Sequence, residues 1–170
     1  MDTISKLPSS QWQYKGRIAN LLYNDELLIQ ITFRTGKADI ETNGHLWQLT
    51  KQGFWRPTLS IAEDNKNILV QNSVSFFGRR HEIWIDDRKY TSEFKRRMRA
   101  SIGYSNETGE ILEYRVNTSL RKGGIVFTIK NTFLPEPDLL LLMALGFYSI
   151  RSVVNQYMEA RSTAIDIADA

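Results

Sequence analysis

The chain contains no cysteine. Disulfides, thiolate metal sites, a cysteine nucleophile and S-palmitoylation are thereby excluded, and a reducing, cytoplasmic setting is expected. Net charge is small, +3 over 170 residues, too little to require nucleic acid or an anionic membrane as partner. The first residues, Met1 to Pro8, lack a basic stretch leading into an apolar one, so no secretory signal is expected there. Catalytic signatures are missing as well. No serine stands in Gly-x-Ser-x-Gly or beside a histidine. Gly123-Gly124 follows Arg121-Lys122 without a Gly-Lys-Ser/Thr, and reads as a hairpin turn rather than a phosphate loop. Asp64, Asp86 and Asp87 fall in turns, where aspartate is favoured for local hydrogen bonding. The two histidines, His45 and His81, are not expected to find the acidic or cysteine partners that a metal site needs. No catalytic residue, metal site or cofactor is expected.

What is present is the composition of an ordinary globular domain, 42% hydrophobic and 24% charged, long enough to bury a sizeable core as one unit over residues 1–170. From about Arg17 to Lys130 the pattern has period two. Leu27, Ile29, Ile31 and Phe33 share one face, as do Ala38 and Ile40, Leu59 and Ile61, Ile83 and Ile85, then Met98, Ala100, Ile102 and Tyr104, opposite Arg97, Arg99, Ser101 and Gly103, and finally Ile125, Phe127 and Ile129. Such alternation predicts strands with one buried and one wetted face. Turn chemistry interrupts it at Asn24-Asp25, Thr35-Gly36, Asn43-Gly44, Gln52-Gly53, 64–67, Asp86-Asp87 and 106–109. Many short strands without interleaved helices indicate an antiparallel barrel or sandwich.

The last part of the chain differs. Pro135-Glu136-Pro137-Asp138 suits a helix entry, and ten of the twelve residues from Leu139 to Ile150 are apolar, surrounding the helix on every side. Such a helix must be buried. Twelve residues rise roughly 18 Å against a hydrocarbon core of about 30 Å, so enclosure by the strands is expected rather than a transmembrane span. A barrel able to hold a helix needs more than the eight strands that side chains alone can fill. The expected fold is mainly β: a closed antiparallel barrel of about twelve strands over 17–130, enclosing an apolar helix at about 137–158, with a helical or loose tail to 170.

This meander, followed by the Pro137-Asp138-Leu139 entry into an apolar helix, resembles the tubby-like superfamily of tubby proteins, phospholipid scramblases and LURP-one-related proteins. The resemblance is one of architecture and covers roughly residues 17 to 158. It implies a twelve-stranded barrel around a central hydrophobic helix. For tubby domains it further implies binding of phosphoinositide head groups through basic side chains on the barrel. Scramblases use calcium, acylated cysteines and a membrane segment. This chain has no cysteine and no acidic calcium loop of recognisable spacing, so the resemblance does not carry over scramblase activity.

The charge is unevenly distributed. Arg79 to Arg99 holds eight Lys/Arg and four Asp/Glu, while the rest sums to about −1. On one strand, Lys95, Arg97 and Arg99 would share a face about 7 Å apart. They form a row able to grip a phosphorylated head group, with Arg79, Arg80, Arg88 and Lys89 adding field from neighbouring turns. The bland alternative is a solvated strand face, charged against edge pairing. The sequence thus suggests a non-enzymatic binding module for anionic phospholipid or another phosphorylated ligand, cytoplasmic with peripheral membrane contact. The competing reading is a structural or protein-interaction domain using an apolar stripe at Tyr157, Met158 and Ile165. Trp12, Trp47, Trp55 and Trp84 are scattered, with Trp47 and Trp84 expected against the barrel wall or helix, so nucleic acid is not the expected partner.

Overall fold

Period-two patterning is realised as strands in the computed structural model, which describes residues 6–53, 57–74, 79–96, 100–117 and 124–168, with side chains only to 155 and not at 96 and 117. The strands are β1 (Gln11–Lys15), β2 (Ile18–Tyr23), β3 (Glu26–Arg34), β4 (Lys37–Thr42), β5 (His45–Gln52), β6 (Thr58–Glu63), β7 (Lys66–Ser73), β8 (Arg80–Ile85), β9 (Arg88–Arg96), β10 (Ala100–Asn106), β11 (Gly109–Asn117) and β12 (Gly124–Ile129). Each pairs antiparallel with the next, in chain order, as one twelve-stranded sheet. β1 approaches β12 without a hydrogen-bonded ladder, so the barrel is nearly closed. A 3-10 turn at Leu7–Ser9 packs beside β12 and buries Leu7. The sheet starts earlier than the expected Arg17, because Gly16, at φ +61, turns an additional strand, β1, onto β2.

Inward side chains such as Ile31, Ile40, Leu49, Ile61 and Ile83 are fully buried. They share one hydrophobic core with the helix α1 (Glu136–Ala168), which runs past the expected end at 158. Leu139 through Leu145, and Phe147, each expose 2% or less of their surface. A helix apolar all round is thereby covered all round, at roughly 1.5–3 kcal/mol of burial per large side chain. The stretch Glu136–Asn155 is long and apolar enough to cross a bilayer by composition alone, with mean hydropathy 1.4. The shorter run from Leu139 to Ile150 had suggested otherwise. The strands, not the length, show what it is buried in.

Three bulges modify the alternation. Leu21 pairs with Ile29 but Leu22 with Leu27, leaving Leu28 as an extra residue; Ile68 on β7 and Ile111 on β11 are extra in the same way. Each sits next to an apolar neighbour, so the bulge lets two consecutive residues turn inward. Leu28 and Ile29 are both buried, as are Ile111 and Leu112. This corrects the expected face of β3: Leu27 is half exposed, not inward with Ile29, Ile31 and Phe33.

Aromatics tie the helix to the wall. The Trp12 ring stacks on Phe147 at 4.1 Å. The Trp12 indole N–H donates to the Tyr114 hydroxyl, which donates to the Met143 carbonyl at 2.8 Å. Gly146 lies against the Tyr114 and Tyr104 rings, where a Cβ would overlap Tyr114. Trp47 is buried as expected, but Trp84 is 40% exposed. It follows the outward phase of β8 and lies under the Lys89 ammonium. Trp55 is outside the described residues.

Candidate functional site

In an up-and-down meander, alternate connections share an end, and the helix links the two ends. At the entry end, Asp138 in the first turn of α1 is buried. Its carboxylate accepts hydrogen bonds from Arg88 Nε at 2.7 Å, Arg88 Nη2 at 3.0 Å and the Tyr90 hydroxyl at 2.5 Å. The bond to Asp138 holds the Arg88 guanidinium more firmly charged than usual. Burial, helped by Asp138, pushes the Tyr90 hydroxyl up to about 12. Asn43 in the β4–β5 turn donates to Glu136 at 2.7 Å. At the exit end, Arg151 donates to the Gly16 carbonyl at 3.2 Å and lays its guanidinium 3.8 Å over the Phe33 ring.

The two ends carry opposite charge. At the exit end, Lys15 and Arg17 flank Gly16, Arg34 and Lys37 flank Thr35-Gly36, Lys51 lies near the end of β5, and Arg79 and Arg80 open β8. Lys95 and Arg115 stand level with each other on either side of Ser101. Counting connections, the three strand residues beside each and Arg151, ten described cations face two carboxylates, Asp39 and Glu82. By the same measure, with Lys6, Glu136 and Asp138, the entry end holds eleven carboxylates and five cations.

Turn chemistry accounts for three of the acidic end's eleven carboxylates, Asp25, Asp64 and Asp86. Its hairpins place Asn24, Asp25, Asn43, Asp64, Asn65 and Asp86 at positive φ, where aspartate and asparagine are tolerated after glycine. At the basic end glycine fills those positions, Gly16 at φ +61 and Gly36 at φ +71. The lysines and arginines around them are not demanded by the backbone.

The ends also differ in pairing. The acidic end is cross-linked by Lys6–Glu26 at 2.6 Å, His45–Glu63 at 2.6 Å, Arg88 with Asp86, and Lys130 with Glu110. The His45 contact corrects the expectation that neither histidine has an acidic partner: the β6 neighbour supplies one from 18 residues away. At the basic end Arg34 pairs with Asp39 at 2.7 Å, whereas Lys15, Arg17, Lys37 and Lys51 make no ion pair among the described residues.

Of the anticipated site residues, the fold brings Lys95, Arg79 and Arg80 to the basic end, whereas Arg88 and Lys89 lie at the acidic end, because successive hairpin turns fall on opposite ends of the barrel. The Phe94 N–H donates to the Arg79 carbonyl, and Arg80 pairs across from Glu93. Contrary to expectation, Lys95 lies on a different strand from Ala100 to Tyr104: β9 and β10 run antiparallel and Lys95 faces Ser101. Arg97 and Arg99 lie outside the described residues, as do the side chains of Tyr157, Met158 and Ile165. Lys95 lines a shallow depression over Gly103 of about 50 Å³, shared with Lys130 and the carboxylates Glu93, Glu110 and Glu113. Lys130 and Arg115 hold Glu110 and Glu113 below the usual carboxylate range. Three carboxylates against two lysines leave that depression net acidic, and the cations with no ion pair among the described residues, Lys15, Arg17, Lys37 and Lys51, are on the rim. A larger open cleft, about 450 Å³, lies at the acidic end between Leu27, Thr42 and Leu46. Sequence reasoning missed Lys15, Arg17, Arg34, Lys37, Lys51 and Arg151, because it summed charge along the chain rather than over alternate turns.

Compared with protein-family models, curated proteins and solved structures, the chain matches none.

Proposed function

We propose that this chain is a non-enzymatic binding module of tubby-like form whose basic end engages an anionic, phosphate-bearing ligand, with anionic phospholipid the first candidate. The observation that carries this reading is the gathering of cations at one end, four of which, Lys15, Arg17, Lys37 and Lys51, make no ion pair among the described residues. Like charges crowded together repel and destabilise the folded chain, and here no turn geometry calls for them. An oppositely charged ligand would relieve that repulsion. Lysines supply point charges and arginines paired donors for phosphate oxygens. Co-sedimentation with phosphoinositide-containing vesicles at low and high salt tests the proposal. Binding should fall with salt and in the Lys37→Glu/Lys51→Glu variant; equal pull-down of wild type and variant would sink it.

A second reading, a protein-interaction domain, draws on Leu27, Leu46 and Phe133, exposed by 50%, 64% and 97% on the acidic half. Exposed apolar groups of this size mark contact surfaces when contiguous.

A further inference from the structure

Resting on the anionic-ligand reading, we infer that the occupant of the basic end is the surface of an anionic bilayer, met end-on and recognised by its charge density rather than by one head group. The cations are spread, not converged. Lys15 ends β1, Arg17 leads into β2, Lys37 opens β4 and Lys51 lies on β5, an arc of five neighbouring strands. Twelve strands about 4.8 Å apart and tilted by about 40° close a ring about 24 Å wide, so no single phosphate reaches across it. A head-group site would be a concavity lined by donors. Two concavities among the described residues lie elsewhere, one at the acidic end and one over carboxylates on the β9–β11 face.

Three further features fit a bilayer. Ile18 and Val74, 44% and 51% exposed, stand on the same rim; aliphatic groups among cations are suited to the head-group boundary and stack on no nucleic-acid base. The acidic end points the opposite way, so the field of an anionic surface attracts one end, repels the other and stands the barrel upright. Finally, α1 leaves through this end and continues to Ala168. A fluid surface can close around an emerging helix, while a duplex offers no opening for one.

The test compares phosphatidylcholine vesicles alone, with phosphatidylserine, and with phosphoinositide at matched total charge, beside soluble inositol hexakisphosphate and duplex RNA at the same salt. Both anionic vesicles should bind equally, within about twofold, and neutral vesicles should not. Lys15→Ala, Lys37→Ala and Lys51→Ala should each lower partitioning about fivefold, corresponding to about 1 kcal/mol per cation near the surface. Their losses should be additive, with unfolding midpoints unchanged. Asp64→Asn, on the opposite end, should not weaken binding. Strong preference for phosphoinositide at matched charge, or stoichiometric capture of soluble inositol phosphate, would overturn the end-on inference and leave the anionic-ligand module standing. Preference for RNA would overturn the bilayer. Failure to bind any anionic probe would take down both readings.

Discussion

At the acidic end of the barrel, carboxylates sit where turns need aspartate and where cations meet them: Asp86 at positive φ, Asp138 under Arg88 and Tyr90, Glu63 against His45. At the basic end the turns are made by glycine, and Lys15, Arg17, Lys37 and Lys51 have no counter-ion among the described residues. The acidic end reads as architecture, a latch that fixes where the helix enters. The basic end has no such structural explanation, which is why function is sought there. If this contrast is right, substitutions should cost stability at one end and binding at the other.

The largest expected effect is at the latch. Asp138→Ala removes a buried carboxylate with three hydrogen bonds, stranding the Tyr90 hydroxyl and the Arg88 guanidinium. Breaking a buried pair costs about 3–5 kcal/mol. Arg88 is 41% exposed and can turn to water, so the lower part of that range is expected in urea unfolding. The rim variants Lys37→Ala and Lys51→Ala should stay within about 0.5 kcal/mol of wild type. Comparable losses at both ends would erase the distinction between latch and rim.

A smaller effect is expected midway along the helix. Gly146→Ala forces a methyl into the Tyr114 ring, and Tyr114 is pinned by Trp12 and the Met143 carbonyl. Overpacking of this kind costs about 1–3 kcal/mol. Gly103→Ala, whose added methyl meets open space on the outer face, should be neutral or gain up to about 1 kcal/mol, as alanine replaces glycine in a strand. Thermal unfolding of the pair would show whether the helix seat, rather than glycine content, sets the sensitivity.

Much of this was legible in the residues. Alternation from Leu27 to Ile129 and the all-round apolar run from Leu139 set the barrel and its enclosed helix, because period two and period 3.6 cannot be satisfied by the same packing. The β1–β2 hairpin escaped notice because Gly16-Arg17 carries weak turn chemistry and β1 is mostly exposed. Leu27 was placed on the wrong face because the bulge at Leu28 is invisible to a strict alternation count. The Asp138 latch joins residues 50 positions apart, and only the register of β9 against the helix entry brings them together. The basic rim is different in kind. Once a meander is accepted, alternate turns share an end, and their charges could have been summed by parity; a linear window from Arg79 to Arg99 mixes Asp86 and Asp87 from one end with Lys95 from the other.

The smallest effect concerns protons at the basic mouth. His81 lies on the inward phase of β8, half-buried, with Ser92 Oγ 3.4 Å from its Nδ1. Burial lowers its affinity for a proton below the ordinary imidazole value of 6.5, because desolvation penalises the charged ring. The unfolded chain therefore takes up a proton near pH 6.5 while the folded barrel resists. Stability attributable to His81 is complete above that pH, declines as pH falls from about 6.5 toward the lower folded value, and is constant below it. The slope cannot exceed one proton, about 1.4 kcal/mol per pH unit. In His81→Gln that slope should vanish from a plot of unfolding free energy against pH, leaving the carboxylate-driven decline at more acidic pH in place. A slope that survives the substitution would mean that acid sensitivity comes from the paired carboxylates of the opposite end instead.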